Sequence, residues 1–465
     1  MKNICDRFRK KSIELVKEKG DYCFIFLFYF FPHLFMSFNR WDDVLYTTYF
    51  KAYNYNLFAF VYRQYQYWTS RVFIEAAVIL FGWLPSIIWV IVDTLMIVLL
   101  YYSISEIIKL ILRKHEIDRK YRLCQMMLFL SFPYALMATA GWLTTTINWT
   151  WMLALFSYSV KTLLYFVMGK GKKRNAIKNV VFCMAYIYAT NFDVAAIVML
   201  GLLIIIGLAC IKSESYKFCI EYWEGTIITI ANLLLFIACP GNRVRMEQDA
   251  IIHDTADVLA LSVGGKFRMG IDSAFYHFVS IPNAVLFTVC IILLLANLLR
   301  KKKMSAKFIA FVPAGVTVIW TGYIFFAYTL KNRTLTYIYP DASFEVCPKS
   351  EQYLAIGSAL ILAFSIIYLL RQILSENHLF IPVVVAFLVW GLFPCIALGF
   401  TSTISASILR VVSFLYLAFI FMSCIVIEYS GMLKRHFVWC LVLFLGGAGT
   451  AFNFVQMVRH IIVYG

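Results

Sequence analysis

From Val194 to Cys210 the sequence carries no charge and no side-chain amide. A stretch of about 17 apolar residues reaches the lower limit for a helix that crosses a bilayer. Runs of this kind recur along the whole chain. They predict helices at 22–38, 86–111, 123–140, 150–168, 178–190, 194–211, 221–239, 282–299, 308–329, 352–371, 379–399 and 408–428, with a thirteenth apolar stretch at 437–456. A shorter run at 72–84, bounded by Gly-Trp-Leu-Pro, predicts a helix lying in the interface. Only 14% of the 465 residues are charged and 62% are hydrophobic, against about 25% charged in a soluble domain. The fold class this implies is an all-α polytopic membrane protein of 12–13 spans, one integral domain over 1–465.

The formal charge of +17 would point to nucleic acid in a soluble chain. Here the basic residues cluster at 7–11, 112–122, 169–174, 300–307 and 433–436, between apolar runs. Lysine and arginine collect in this way on the cytoplasmic side of membrane proteins. An N-terminus inside, with alternating helices, leaves 28 of the 42 Lys and Arg on inner segments and 12 on outer ones. Nucleic acid is therefore excluded as a partner, and the lipid bilayer is one. The basic, polar start leads into an apolar run without a small-residue cleavage site, which reads as a retained first helix. The twelve cysteines contain no CxxC, and the layout puts only Cys347 in a large outer loop, so neither a disulfide framework nor a cysteine metal site is indicated. The absence of an internal repeat counts against transporter folds built from duplicated halves.

On this layout two outer segments are long: 39–84, a first outer loop with a juxtamembrane helix, and 240–280. The chemistry gathers there. The second begins with Pro240-Gly241-Asn242-Arg243-Val244-Arg245. Pro and Gly stop the helix leaving the membrane, Asn242 turns the chain, and Arg243 and Arg245 stand at the boundary, where a guanidinium can grip phosphate with two parallel bonds. The first carries Asp42-Asp43 just beyond the first span, where a carboxylate can act as a general base. It ends with Trp68 and Arg71, an aromatic and a cation suited to a sugar ring and a phosphate. Arg410, at the outer entrance of the 408–428 helix, is a further phosphate ligand, since an arginine at that depth is costly unless paired or solvated. Asp193, in the turn between the 178–190 and 194–211 helices, is a further candidate. His253 and His277 fall in the 240–280 segment without a clear role. Asp93 and Lys161 lie inside predicted spans and are expected to pair with each other.

An acidic pair in an early outer loop, many helices without a repeat, and arginines at the outer face resemble GT-C-type integral membrane glycosyltransferases. The likeness is sharper to a bacterial multi-pass group carrying a PGNxxR motif after a middle helix, here Pro240 to Arg245. Trp68-Thr69-Ser70-Arg71 stands where that group has a W-x-G-R-like element, with Ser70 in place of glycine. The resemblance implies a sugar donor on a polyprenyl phosphate at the outer leaflet of a bacterial plasma membrane, and a surface glycan or cell-wall polymer as acceptor. It also implies that Asp42 or Asp43 removes the acceptor proton and that the sugar is transferred with inversion. Arg245, with Arg71 and Arg410, would stabilise the departing phosphate; Trp68, Asn242, Arg243 and Asp193 complete the substrate-binding set. The sequence shows no His/Asp/Glu cluster, so no cofactor or metal is expected. It shows no glycine-rich phosphate loop either, which disfavours a nucleotide sugar. Rival readings are a transporter or flippase of lipid-linked sugars, using the same arginines, and a surface-polysaccharide polymerase or ligase.

Overall fold

The computed structural model describes residues 19–171, 175–252, 260–280, 284–300, 304–330, 349–374, 378–401 and 404–464. Cys347, His253, the side chain of His277, all of 7–11, and residues 172–174 and 301–303 of the basic segments lie outside these. Among the described residues all regular structure is helical. The helices are α1 (19–33), α2 (Trp41–Ala52), α3 (Leu57–Tyr67), α4 (Val72–Trp83), α5 (Ser86–Leu112), α6 (Arg119–Leu130), α7 (Trp142–Val167), α8 (Ala176–Thr190) and α9 (Asp193–Lys212). The second half contains α10 (Ile220–Ala238), α11 (Pro240–Ile252), α12 (Val263–Ser280), α13 (Ala284–Leu298), α14 (Met304–Leu330), α15 (Lys349–Leu374), α16 (Phe380–Phe400), α17 (Ile404–Ser430) and α18 (His436–Tyr464).

Every apolar run of the sequence thus contains a helix. Among the described residues eight helices, α5, α7, α9, α10 and α15 to α18, are long and apolar enough to cross a membrane. The chain is a multi-pass membrane protein. The apolar parts of α4, α8, α13 and α14 are shorter, so length alone does not reach twelve or thirteen spans. Nearly all of α17 is buried inside the protein. It is the central post, packed against α5, α6, α13 and α16.

The predicted 123–140 helix is corrected. Helix α6 stops at Leu130, Pro133 cannot donate a backbone hydrogen bond, and α7 begins only at Trp142. The break lies within the bundle, where unpaired backbone groups are costly. Asn453 of α18 supplies the missing partners: its Nδ2 donates to the Leu130 carbonyl at 2.8 Å and its Oδ1 accepts from Tyr134 N at 3.0 Å. The Asp93–Lys161 pairing is also overturned. Asp93 is fully buried and is bonded to His33 Nε2 (2.8 Å), the Tyr134 hydroxyl (2.5 Å) and the Trp151 indole N–H (2.8 Å). Lys161 instead lies over the Tyr158 and Tyr102 rings, at 4.5 and 5.3 Å.

Neither long segment is a loop. Residues 41–83 form α2, α3 and α4, which pack on one another, with Phe50, Phe60 and Ile79 buried between them. Residues 240–280 are mostly α11 and α12. Pro240 does more than end a helix. The chain leaves α10 at Ala238, turns at Cys239 in extended geometry (ψ 115°) and starts α11 at Pro240, where a missing N–H costs nothing because the first turn leaves that donor unpaired.

Candidate functional site

The N-terminus of α11 is set against the C-terminal end of α3. A Cβ on Gly241 would lie 2.4 Å from Trp68 N and 2.7 Å from Tyr65 O, so only glycine permits the contact. Asn242 then bridges the two elements. Its Oδ1 accepts from Ser70 N at 3.2 Å and its Nδ2 donates to Phe236 O at 2.9 Å. Asn242 is therefore committed to backbone, as a latch between the helix break and the 68–71 turn. A second latch holds the other side of that turn. Asn191 Nδ2 donates to Ser70 O at 3.2 Å and its Oδ1 accepts from Phe73 N at 3.0 Å, while Asn232 Nδ2 donates to Thr190 Oγ1 at 2.8 Å. Neither asparagine stood out in the sequence; the signal available was a lone amide just beyond the 178–190 run and another inside the 221–239 run.

These latches bring the side chains together. Arg71 donates through Nη2 to Asp193 Oδ1 at 2.8 Å, and its guanidinium lies 3.9 Å from the centre of the Phe192 ring. One helical turn beyond Gly241, Arg245 donates through Nε to Asp249 Oδ2 at 3.2 Å, with its guanidinium 5.4 Å from the Trp68 ring. Arg410 of α17 bonds the Ser407 hydroxyl at 3.3 Å and lies within electrostatic reach of Asp42, Arg245 and Arg71. Arg243 is not part of the group. Its side chain is 87% exposed and bonds Glu247 on the outside of α11. Among the described residues, Arg71 and Arg245 each bond a carboxylate through one nitrogen. A guanidinium has five donors in a fixed fork, so each keeps donors for a ligand.

The two adjacent aspartates part company. Asp43 is fully buried and caps α7: its Oδ1 accepts from Thr144 N (2.8 Å) and Thr144 Oγ1 (2.7 Å), and its Oδ2 from Leu143 N (3.2 Å). The residue in the N-cap position, Gly141, has no side chain to do this, and it sits at φ +118° with no room for one beside the Asp43 carboxylate. Asp43 thus satisfies orphan donors at a helix start. Burial pushes its carboxyl up to about 6, against the pull of the Thr144 and Leu143 hydrogen bonds. Asp42 is half-buried and faces the cations instead. Burial raises its carboxyl, opposed by the charges of Arg410 and Arg245.

A third acid joins the cluster. Glu75 of α4 is 3% exposed. The Tyr46 hydroxyl of α2 donates to it, and Arg71, Arg245 and Asp42 act on it electrostatically. Its Oε2 has no hydrogen-bond partner among the described residues. Burial lifts its carboxyl to about 7, with Tyr46 and the two arginines pulling the other way. In the sequence it was hidden inside an apolar run. Comparison of the chain with protein-family models, with curated proteins and with solved structures finds no match. The geometry therefore has to carry the functional reading by itself.

Glu75 gives a stability prediction. Its folded value lies above the ordinary 4.5, so folding favours the protonated form. The contribution is complete at low pH and is lost as pH rises through about 7, amounting to about 3 kcal/mol. Thermal melts in detergent from pH 5 to 8 are expected to show the wild type losing stability that Glu75→Gln keeps. Parallel curves for the two proteins would remove Glu75 from this role.

Proposed function

We propose that the chain is a membrane glycosyltransferase that moves a sugar from a polyprenyl-phosphate donor to a cell-surface glycan or cell-wall polymer. The observation that carries this reading is the placement of a half-buried carboxylate, Asp42, under the charges of Arg410 and Arg245, with Arg71 in the same cluster. A base beside several fixed cations suits a reaction in which a hydroxyl loses a proton while a phosphate gains charge. Asp42 takes the acceptor proton. The acceptor oxygen bonds to the anomeric carbon, and the bond from that carbon to the phosphate oxygen breaks. The electron pair leaves with the lipid phosphate, where Arg71, Arg245 and Arg410 stabilise it. Asp193 and Asp249 aim the arginines, and Trp68 backs Arg245. Asp43 and Asn242 position these groups without touching substrate.

The distribution of basic residues supports an orientation with the N-terminus in the cytoplasm and the site on the outer face, and the family resemblance supports a bacterial plasma membrane. The transporter reading loses support, because Asp93, which with Lys161 is one of the two charges inside predicted spans that could mark a path through the membrane, is held by three buried partners. The test is transfer of radiolabel from a polyprenyl-phosphate sugar to a crude cell-envelope acceptor by purified protein. Arg245→Ala is expected to lower the rate by roughly 10²–10³, as loss of one stabilising donor does. Donor binding that needs Arg245, with no transfer by the wild type, would return the transporter.

A further inference from the structure

A cleft of about 240 Å³ lies between α2 and α4, next to the site. Tyr46, Thr47 and Lys51 line it from α2, Tyr55 from the turn beyond, and Gly82 and Trp83 from α4. Tyr46 is shared: it lines this cleft, it stands one helical turn along α2 from Asp42, and its hydroxyl donates to Glu75. The cleft and the cluster of charges are therefore adjoining parts of one surface.

Two features mark the cleft as built rather than incidental. The first is backbone strain. Asn54 and Tyr55 are consecutive left-handed residues, at φ 51° and 58°. Asparagine tolerates this conformation, but a tyrosine in it is strained where a glycine would not be. The strained turn is held by Asn54 N to Lys51 O (3.0 Å) and Tyr55 N to Phe50 O (3.2 Å), and Asn56 follows as the cap of α3. What the strain achieves is to fold the Tyr55 ring back over the cleft, edge-on to Phe50 at 5.4 Å and tilted toward Trp83 at 6.3 Å. The second feature is composition. Tyr55 and Trp83 remain 51% and 62% exposed, so they form an open aromatic wall. A cation stands at its edge, since the exposed Lys51 has no carboxylate partner among the described residues. Aromatic rings that only anchor a protein in the interface need no concave wall, no strained turn to aim them and no ammonium group at their edge.

We propose that this cleft is a saccharide subsite that takes one unit of an anionic acceptor glycan. The apolar C–H face of the sugar ring lies on Tyr55 and Trp83, and a carboxylate or phosphate substituent lies at Lys51. The neighbouring unit then extends past Tyr46 toward Asp42. The identity of the ligand rests on the glycosyltransferase reading, so binding and transfer are measured separately.

The probe is a set of radiolabelled saccharide fragments released by mild acid from the cell envelope of the source organism. It is titrated onto the full chain in nanodiscs. Tyr55→Leu and Trp83→Leu are each expected to weaken binding about tenfold, the scale of one lost aromatic stacking contact. Lys51→Gln is expected to weaken it several-fold and to flatten its salt dependence. The two aromatic variants act on different elements, so misfolding of the 53–56 turn in one leaves the other informative. Wild-type affinity in all three variants overturns the proposal. So does absence of saturable binding combined with stronger quenching by brominated lipids in the wild type than in Trp83→Leu, which would assign the ring to the bilayer. Binding as described with no transfer would sink the glycosyltransferase reading and leave the subsite standing. Transfer with an unchanged acceptor KM in Tyr55→Leu and Trp83→Leu would do the opposite.

Discussion

Asp42→Asn will abolish sugar transfer and leave a normally folded protein that still binds the donor, whereas Asp43→Ala will damage the fold. The two carboxylates are neighbours in sequence and opposites in environment. Asp42 is half-buried and faces Arg410 and Arg245, and an amide there keeps the shape but cannot take a proton. Losing a general base costs roughly 10²–10⁴ in rate. Asp43 accepts three hydrogen bonds at the start of α7, two of them from backbone N–H groups that have no other cap. Truncating it leaves buried donors unpaired, at about 3 kcal/mol in total. Rate measurements at saturating donor and thermal melts on both variants separate the two roles. Full activity in Asp42→Asn would end the assignment of the base, and an unchanged melting temperature in Asp43→Ala would end the assignment of the cap.

Gly241→Ala will be among the most destructive single methyl additions in the chain. The new carbon would meet backbone on α3 at 2.4 and 2.7 Å, and backbone cannot turn away as a flexible side chain can. The N-terminus of α11 must lift, the Asn242 bond to Ser70 breaks, and Arg245 moves away from Trp68. Overpacking of this kind costs about 1–3 kcal/mol or more. The larger effect is functional, since displacement of a positioned group by about 1 Å can cost roughly 10² in rate. Arg245→Lys is the comparison: it keeps the α3–α11 contact and the charge but loses the fork. Gly241→Ala is expected to lower both melting temperature and transfer, and Arg245→Lys transfer alone. A Gly241→Ala protein that melts and turns over as the wild type does would mean that the α3–α11 approach is looser than described.

Much of the helix pattern could be read from the chain because apolar period and length are local properties. Each of the thirteen apolar runs contains a helix, and the largest error, the 123–140 helix, came from Pro133 lying inside an apolar stretch that hydropathy alone reads as continuous. The site was legible in part. Asp42, Arg71, Arg245 and Arg410 were visible as charges at span ends, and the structure gathers them. Arg243 was indistinguishable from Arg245 until the α11 helix placed them on different faces. Asp43, Asn242 and Gly241 were visible as residues but not as latches, because their partners Leu143, Ser70 and Trp68 are 100 and about 170 positions away. Glu75 and Tyr46 were missed for a related reason. A buried acid inside an apolar run shows its importance only when the cations that surround it are known.

The Asn453 clamp carries a consequence for the order of events. It closes a backbone gap at Leu130 and Tyr134 from more than 300 residues downstream. A ribosome adds more than 300 residues after Tyr134 before that side chain exists. Until α18 arrives, the break between α6 and α7 has open donors and acceptors within the bundle, directly before the Gly141 turn that Asp43 must cap. The first half of the protein is therefore inserted early but finished late. Helix α18 therefore sets the moment at which the charged cluster can become rigid.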